Sequence, residues 1–312
     1  MHGYVARYRR LAVLAWSLLV VALAGGCTAE VSSASPPDRA EREKVTPAAP
    51  ASSFTAPPAG MAGRPLMLTV YYLRTIGSDR YLVPERHQIR RLDASAPEAA
   101  VRELLAGTPV YPGSTRPFPS GSRLLGFALE GPSVVVDLSR EVAGVAGGPK
   151  AAQLAVQTLV WTVTRAADVR RVLVKVEGRT SGKVEGRSLG DLWGPRASRA
   201  GLTRDEGVPL APIALLSPVP SAGVAGDRVV VRGEASVARG VVSLRLRDST
   251  GTVAAQGFTN AAAPAPARTP FSGSLAFDPP TRAELWVLEV FEASPVDGSV
   301  RYSVELPVKV GG

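Results

Sequence analysis

Cys27 is the residue whose chemistry the sequence specifies most closely. It is the single cysteine of the chain, and it follows the small residues Gly25 and Gly26. Residues 11–24 form an uncharged apolar segment that is short for a membrane span, and three arginines lie within residues 7–10. A cationic start, a short apolar core and a small-residue exit are the parts of a secretory signal. We therefore predict export, with the Cys27 thiol as a lipid attachment point.

The residues before Cys27 resemble the cleavage site of a bacterial lipoprotein signal, in which the cysteine receives a diacylglycerol and becomes the new N-terminus. A leucine usually lies three places before that cysteine, whereas Ala24 holds the place here and Leu23 comes one residue earlier. An ordinary secretory signal followed by an unrelated cysteine is the alternative. The pair Arg9-Arg10 also permits twin-arginine export, although the general secretory route fits the flanking residues better.

The histidines offer little support for an enzyme. His2 would leave with the signal, so a Ser-His-Asp arrangement or a metal site would depend on His87 alone. Gly186-Arg187-Ser188-Leu189-Gly190 has the spacing of a Gly-x-Ser-x-Gly motif, but a triad built on Ser188 would still depend on His87. His87 lies in an alternating segment beside Glu85 and Arg86, and we interpret it as a surface residue of a strand. We predict no catalytic residue, no bound metal and no cofactor.

Two further groups of residues could carry chemistry. Glu289, Glu292 and Asp297 could bind calcium, but they lack an Asp-x-Asp-x-Asp-Gly loop, so we interpret them as solvated strand-edge and turn residues. A second group of aromatic residues could stack on sugars, although isolated aromatics are more often part of a core. The aromatic group consists of Tyr71, Tyr72, Trp161, Trp193 and Trp286.

The charge of the chain is positive but diffuse. The net charge is +9, nearly all of it from arginines that form no block or helical stripe, so nucleic acid is not a predicted partner. Biased codon usage explains this composition. Attraction to an anionic membrane or an acidic wall polymer is the functional alternative.

The chain divides into a linker and two regions able to fold. Residues 28–64 are rich in Ser, Pro and Ala, which predicts a disordered tether. The length remaining after the signal favours two domains. No second long apolar run occurs, so membrane attachment depends on the lipid, and with one cysteine the mature chain cannot form an internal disulfide.

The first region predicts alternating strands and helices. Residues 66–73 are apolar on both faces, as in a buried strand, and residues 81–92 form a partner strand interrupted at Pro84. Ser95 and Glu98 have the spacing of a capping box, which opens a helix that Gly107 closes. Two strands at 123–130 and 133–138, a helix after Gly147 and a strand at 169–176 follow. This order predicts a two-layer α/β sandwich with helices on one face of a mixed sheet.

These segments carry a family resemblance. Val70-Tyr71-Tyr72-Leu73, residues 97–107, residues 134–139 and the helix before residues 172–174 resemble the sporulation and spore germination domain called GerMN. The resemblance implies a fold similar to the ring-building motifs of envelope-spanning machines. It also implies an assembly module rather than a reaction, since such a lipoprotein helps to build a transenvelope channel in spore formers.

The second region reads as all-β. Residues 228–232 and 241–247 alternate, residues 248–251 form a turn, and strands at 285–291 and 301–310 complete a predicted sandwich. Residues 229–235, residues 244–248 and residues 288–294 resemble the immunoglobulin-like domain of bacterial spore germination, which commonly follows GerMN.

Together these observations predict an α+β chain with the boundaries 1–27 (signal), 28–64 (tether), 65–205 (GerMN domain) and 210–312 (immunoglobulin-like domain). The leading hypothesis is a non-catalytic lipoprotein on the extracytoplasmic face of the cell membrane, held by lipid on Cys27. It would bind envelope proteins or assemble with itself. A lipoprotein that binds cell-wall polymer or glycan, and a regulator of an envelope sensor kinase, are the alternatives.

Overall fold

The computed structural model describes residues 65–89, 94–194 and 201–312. The predicted signal, Cys27 and the predicted tether lie outside these residues. Within the described ranges, no helix has the length and apolarity that a membrane crossing requires. The α+β class is confirmed, with strands predominating.

The N-terminal region, residues 65–211, contains eight strands and three helices in its described part. In chain order they are β1 (Leu66–Ile76), β2 (Asp79–Ile89), α1 (Ala96–Ala106), β3 (Ser114–Thr115), β4 (Leu124–Glu130), β5 (Ser133–Leu138), α2 (Gly148–Ala167), β6 (Arg171–Val176), β7 (Lys183–Val184), β8 (Arg187–Ser188) and α3 (Leu189–Trp193). The predicted order of strand, strand, helix, strand, strand, helix, strand is confirmed for β1, β2, α1, β4, β5, α2 and β6, whereas β3, β7, β8 and α3 were not predicted.

The strands of this region pair differently from the single mixed sheet that we predicted. In the described residues one sheet has the order β2-β1-β3, a second has the order β4-β5-β6, and β7 pairs with β8. Mixed pairing occurs in the second sheet, where β5 is antiparallel to β4 and parallel to β6. On the side of β1 that faces away from β2, the backbone N–H of Tyr71 donates to Thr162 Oγ1 of α2 over 3.0 Å. A helix side chain thus satisfies a group that another strand would otherwise bind.

Strand β2 runs through Pro84, contrary to the predicted interruption. Pro84 lies opposite Tyr71 in an unbroken register with β1. Two residues earlier, the N–H of Leu82 points away from β1 and donates to the carbonyl of Pro209. Because N–H groups two residues apart point the same way along a strand, the N–H that Pro84 lacks would not have bonded to β1.

Helix α1 has the predicted limits but not the predicted capping box. Ser95 is its N-cap residue without a side-chain cap hydrogen bond, and the Ser95 carbonyl accepts the first helical N–H, that of Ala99. Glu98 instead pairs with Arg102 one turn later, at 2.7 Å. The helix ends at Gly107, as predicted.

One hydrophobic core joins the elements of the N-terminal region. It combines Tyr72 from β1, Leu104 from α1, Val136 from β5 and Leu159 from α2, all fully buried. Helix α2 packs against both α1 and β1. The helices and both sheets of this region therefore share a single interior.

The C-terminal region, residues 212–312, is all-β apart from one short 3-10 turn. Its strands are β9 (Ile213–Ser217), β10 (Gly223–Val224), β11 (Arg228–Ala235), β12 (Val241–Arg247), β13 (Val253–Asn260), β14 (Thr269–Ala276), β15 (Glu284–Ala293) and β16 (Val300–Val310). The predicted strands appear as β11, β12, β15 and β16. Strands β9, β10, β13 and β14 were not predicted.

Two sheets share the core of this C-terminal region. Their strand orders are β10-β16-β15-β12-β13 and β14-β11-β9. Buried and exposed residues alternate along β11 and β16, as expected where one face of each sheet is covered. At Gly233 of β11 the Phe271 ring of β14 lies close to the backbone, and an added Cβ would come within 2.7 Å of that ring.

Candidate functional site

His87 is buried, with 5% of its surface exposed, so our interpretation of it as a surface residue was wrong. The face of β2 that carries Glu85 and His87 lies against α1, which contributes Glu103. The ring of Tyr72 lies 5.3 Å from the imidazole. Alternating polar residues suggested a solvent face, but here they form a polar cluster inside the fold.

Both ring nitrogens of His87 are engaged by carboxylates. Nδ1 lies 2.8 Å from Glu103 Oε1, and Nε2 lies 3.4 Å from Glu85 Oε2. The N–H of Val110 donates to that same Glu85 oxygen over 2.6 Å. Burial alone lowers the pKa of His87. The hydrogen bonds and charges of Glu103 and Glu85 raise it by more than burial lowers it, and the resulting pKa is about 9.

This arrangement is that of an ion cluster. At neutral pH both ring N–H groups of an imidazolium between two carboxylates donate hydrogen bonds. Neither nitrogen is then free to act as a base or a ligand. Across the described ranges, no group of three or more His, Cys, Asp or Glu side chains is arranged to hold a metal ion. His87 therefore links β2 to α1.

Glu289 and Glu292 are buried, so our interpretation of both as solvated edge residues was wrong. Glu289 belongs to an inner strand and pairs with Arg247 at 2.9 Å and Arg245 at 3.3 Å. Glu292 accepts the N–H of Ala238 over 2.8 Å. Glu289 thus fixes two arginine side chains, and Glu292 fixes a backbone segment.

Asp297 is a turn residue, as predicted. Its carboxylate accepts hydrogen bonds from the N–H and the hydroxyl of Ser299. Hydrogen bonds from Ser294 and Ser299 lower the pKa of Asp297 to about 2. The three acids therefore serve three separate local contacts.

The aromatic side chains proposed as a sugar-stacking platform are all buried. The Tyr71 and Trp161 rings lie 5.5 Å apart beside α2, and Trp286 lies 5.5 Å from Phe277 in the C-terminal core. Tyr72 and Trp193 belong to the N-terminal core. A platform needs exposed ring faces, so these residues form core, and the glycan-stacking alternative loses the side chains on which it depended.

The closed end of the β1–β2 hairpin rests on the C-terminal region. Arg74 donates from Nη1 to the carbonyl of Ser303 over 2.6 Å, and its guanidinium lies 5.4 Å from the centre of the Tyr302 ring. Tyr81, opposite Arg74 in the hairpin, meets the same ring edge-on at 6.2 Å. Val83 is part of the C-terminal core. The two regions therefore share apolar interior.

The segment after residue 201 is bonded to the N-terminal region. Leu202 bridges to Val172 of β6, and Leu210 bridges to Leu82 of β2. Between them, the N–H of Asp205 donates to Gln157 Oε1 of α2 over 3.0 Å. The connection is bonded along the N-terminal region, so it acts as part of that region.

Strand β4 is an open edge of its sheet. It pairs with β5 on one side, and no other described strand pairs with its second side. Leu125 and Leu129 are exposed by 51% and 52%, and Glu130 is the single charged residue of the strand. Edge strands are usually protected by charge, proline or a covering segment, so an apolar exposed edge is a candidate interaction surface. Sequence reasoning placed this strand but could not tell that it lies at an edge.

The fold and these surfaces define a two-region α+β protein. Family models identify the regions: one described as sporulation and spore germination matches residues 69–182, and one described as the immunoglobulin-like domain of bacterial spore germination matches residues 212–299. The chain therefore belongs to the sporulation and germination proteins that join a GerMN domain to this immunoglobulin-like domain.

Solved structures show distant similarity. The tandem GerMN domains of the sporulation protein GerM from Bacillus subtilis are 22% identical with a TM-score of 0.35, over 50% of this chain and 51% of that chain. The first GerMN domain of the same protein is 19% identical, with a TM-score of 0.31, over 46% of this chain and 97% of that one. A putative lipoprotein from Clostridium perfringens is 15% identical, with a TM-score of 0.25, over 38% and 80%.

The chain thus spans about half the length of the tandem GerM structure. A search of curated proteins found no match.

Proposed function

We propose that this protein is a non-catalytic, lipid-anchored envelope protein that assembles with other proteins on the extracytoplasmic face of the membrane. The open edge of β4 is the observation that carries the proposal. Its unpaired backbone groups can accept a further strand, and its leucines offer apolar contact at the same place. Two domains of sporulation and germination families are consistent with an assembly role.

The partner that we propose for this edge is a second copy of the chain. Two identical edge strands can pair antiparallel about a two-fold axis, so that each satisfies the other's free N–H and C=O groups. Leu125 and Leu129 of both copies would then lie at the contact. A low charge on β4 favours this arrangement, because like charges facing each other across the pair would oppose it.

Light scattering of the purified protein tests the pairing. We expect a concentration-dependent oligomer, which Leu125→Lys with Leu129→Lys converts to a monomer because charge is placed in the contact. Val296→Lys is the control, since Val296 is 88% exposed in the turn between β15 and β16 and lies on no strand edge. A wild-type protein that stays monomeric and crosslinks to no envelope protein in cells would contradict the proposal.

The anchor is proposed to be the lipid on Cys27, on the strength of the signal-like residues before it. Cys27→Ser removes the thiol that would carry the lipid, so we expect the protein to move from the membrane fraction to the soluble fraction. Its thermal unfolding should stay unchanged, since Cys27 precedes both matched domains. A variant that remains membrane-bound would show that another segment provides the anchor.

The absence of catalysis is part of the same proposal. His87 supports it, because carboxylates occupy both of its ring nitrogens. We further propose that the N-terminal region is a two-layer α/β sandwich of the ring-building kind and the C-terminal region an immunoglobulin-like sandwich. The shared core of α1, α2 and two sheets supports the first assignment. Two sheets closed over one core support the second.

A further inference from the structure

A cleft of about 160 Å³ lies at the junction of the two regions. We call it the junction cleft. It is bounded by β1, β2, α2, the segment after residue 201, and strands β9 and β11. Its lining includes four arginines and, among the described residues, one acidic side chain. These charged residues are Arg86, Arg165, Arg204, Arg268 and Glu234.

Three buried polar atoms of the lining have no hydrogen-bond partner, and all three carry N–H groups. They are Arg86 Nε, Trp161 Nε1 and Arg268 Nη1. A buried donor without an acceptor destabilises the fold, since it has lost its water without replacement. All three donors belong to residues that line the cleft, and a ligand bound there with acceptor atoms would bring hydrogen-bond partners to this group.

The protein holds two of the cationic side chains in place. The guanidinium of Arg204 lies 4.7 Å from the centre of the Trp161 ring, and its Nε donates to Thr164 Oγ1 over 2.8 Å. Arg268 donates from Nη2 to the carbonyl of Ala211. Fixed donors lose less conformational entropy when they bind, so the cleft is partly preorganised.

The positive charge of the cleft is incompletely balanced. Burial lowers the pKa of Arg268, and the charge of Glu234 acts in the opposite direction. Burial raises the pKa of Tyr71, so the phenol of this lining residue carries no charge near pH 7. An anion bound among these arginines would offset the cost of burying them.

We propose that the junction cleft binds a small oxyanion of the phosphate or carboxylate class. Such groups supply several acceptors in a small volume, and the guanidinium fork matches their geometry. The volume exceeds the roughly 15 Å³ that one water needs, so a small anion fits where several waters could otherwise lie. Since the lining comes from both regions, the bound ion stabilises their junction. This site goes beyond the assembly role and does not depend on the β4 edge.

Calorimetric titration of the full chain in detergent tests the site at constant ionic strength. The probes are inorganic phosphate, glycerol 3-phosphate and acetate. We expect saturable binding of at least one probe, which also raises the unfolding temperature. Binding of both phosphates but not acetate assigns the phosphate class. Glycerol 3-phosphate alone points to a headgroup-like ligand, and acetate alone assigns the carboxylate class.

Substitutions then place the binding in the cleft. Arg86→Gln and Arg268→Gln should each weaken binding about tenfold or more, because each removes a charged donor. Trp161→Phe keeps the ring under Arg204 and removes one N–H, so it should weaken binding with less effect on folding. Arg140→Gln is the control, since Arg140 pairs with Glu177 at an exposed site.

Two results would overturn the proposal. One is that no probe binds saturably, which would leave water as the occupant. The other is that folded Arg86→Gln and Trp161→Phe proteins bind as tightly as the unchanged chain. Neither result bears on oligomer formation through β4, so failure of this site and failure of the assembly role are distinguishable.

Discussion

The ion cluster at His87 makes the stability of the protein depend on pH in a specific direction. The pKa of His87 is about 9 in the folded protein and about 6.5 in an unfolded chain. A folded pKa above the unfolded one means that the stabilisation is fully present below pH 6.5. It is lost progressively as the pH rises through 9. At 1.36 kcal/mol per unit, the difference corresponds to about 3 kcal/mol of unfolding free energy.

Urea unfolding measured from pH 6 to pH 10 tests this expectation. His87→Gln removes the cation while Glu85 and Glu103 remain, so the variant should be least stable relative to the unchanged protein at pH 6. The two proteins should converge as the pH passes 9, because the unchanged protein then also lacks the cation. Their difference isolates the cluster around His87, since titrating groups remote from it are common to both.

A second substitution controls for loss of an ordinary ion pair. Glu98 pairs with Arg102 on the same helix, and Arg102 is 58% exposed. Glu98→Gln should therefore cost less than about 1 kcal/mol and should leave the slope between pH 6.5 and pH 9 unchanged. Parallel curves for His87→Gln and the unchanged protein across that range would refute the cluster as the source of the pH dependence.

Two further predictions concern packing. Gly233→Ala should lower the unfolding free energy by about 2 kcal/mol, because the new methyl group would meet the backbone carbonyl of Ala214 and the Phe271 ring. Gly223→Ala, with open space around it, should change the same urea midpoint little. Arg74→Ala should cost about 1 to 3 kcal/mol by removing its hydrogen bond to the C-terminal region and its contact with Tyr302, and an unchanged urea midpoint would contradict this role.

The local sequence pattern was sufficient to predict most of the helices and strands. Both long helices and nine of the strands follow from apolar spacing and from punctuation by Gly and Pro, because these signals act within a few residues. Strands β13 and β14 escaped prediction since their small and polar residues lack a strong alternation. Pro84 caused the opposite error, since it predicted a break that β2 does not have. The effect of a proline depends on which side of β2 meets β1.

The environments of polar side chains were harder to predict. His87 and Glu289 lie in alternating strands, and alternation alone cannot reveal that a helix covers His87 or that the neighbouring strand of the same sheet places arginines beside Glu289. The junction cleft gives no signal in sequence at all. Its lining runs from Thr69 to Arg268, and the packing of the two regions brings these residues together.

The orientation of the β1–β2 hairpin has a mechanical consequence. Leu66 and Ile89 lie at its open end, while Ile76, at its closed end, packs against the core of the C-terminal region. A pull on the chain ahead of Leu66, resisted by a partner bound to the C-terminal region, would act along β1. Because hydrogen bonds between the strands are perpendicular to them, such a force would shear the eleven paired positions together instead of opening them one at a time. The hairpin thus resists tension along its length.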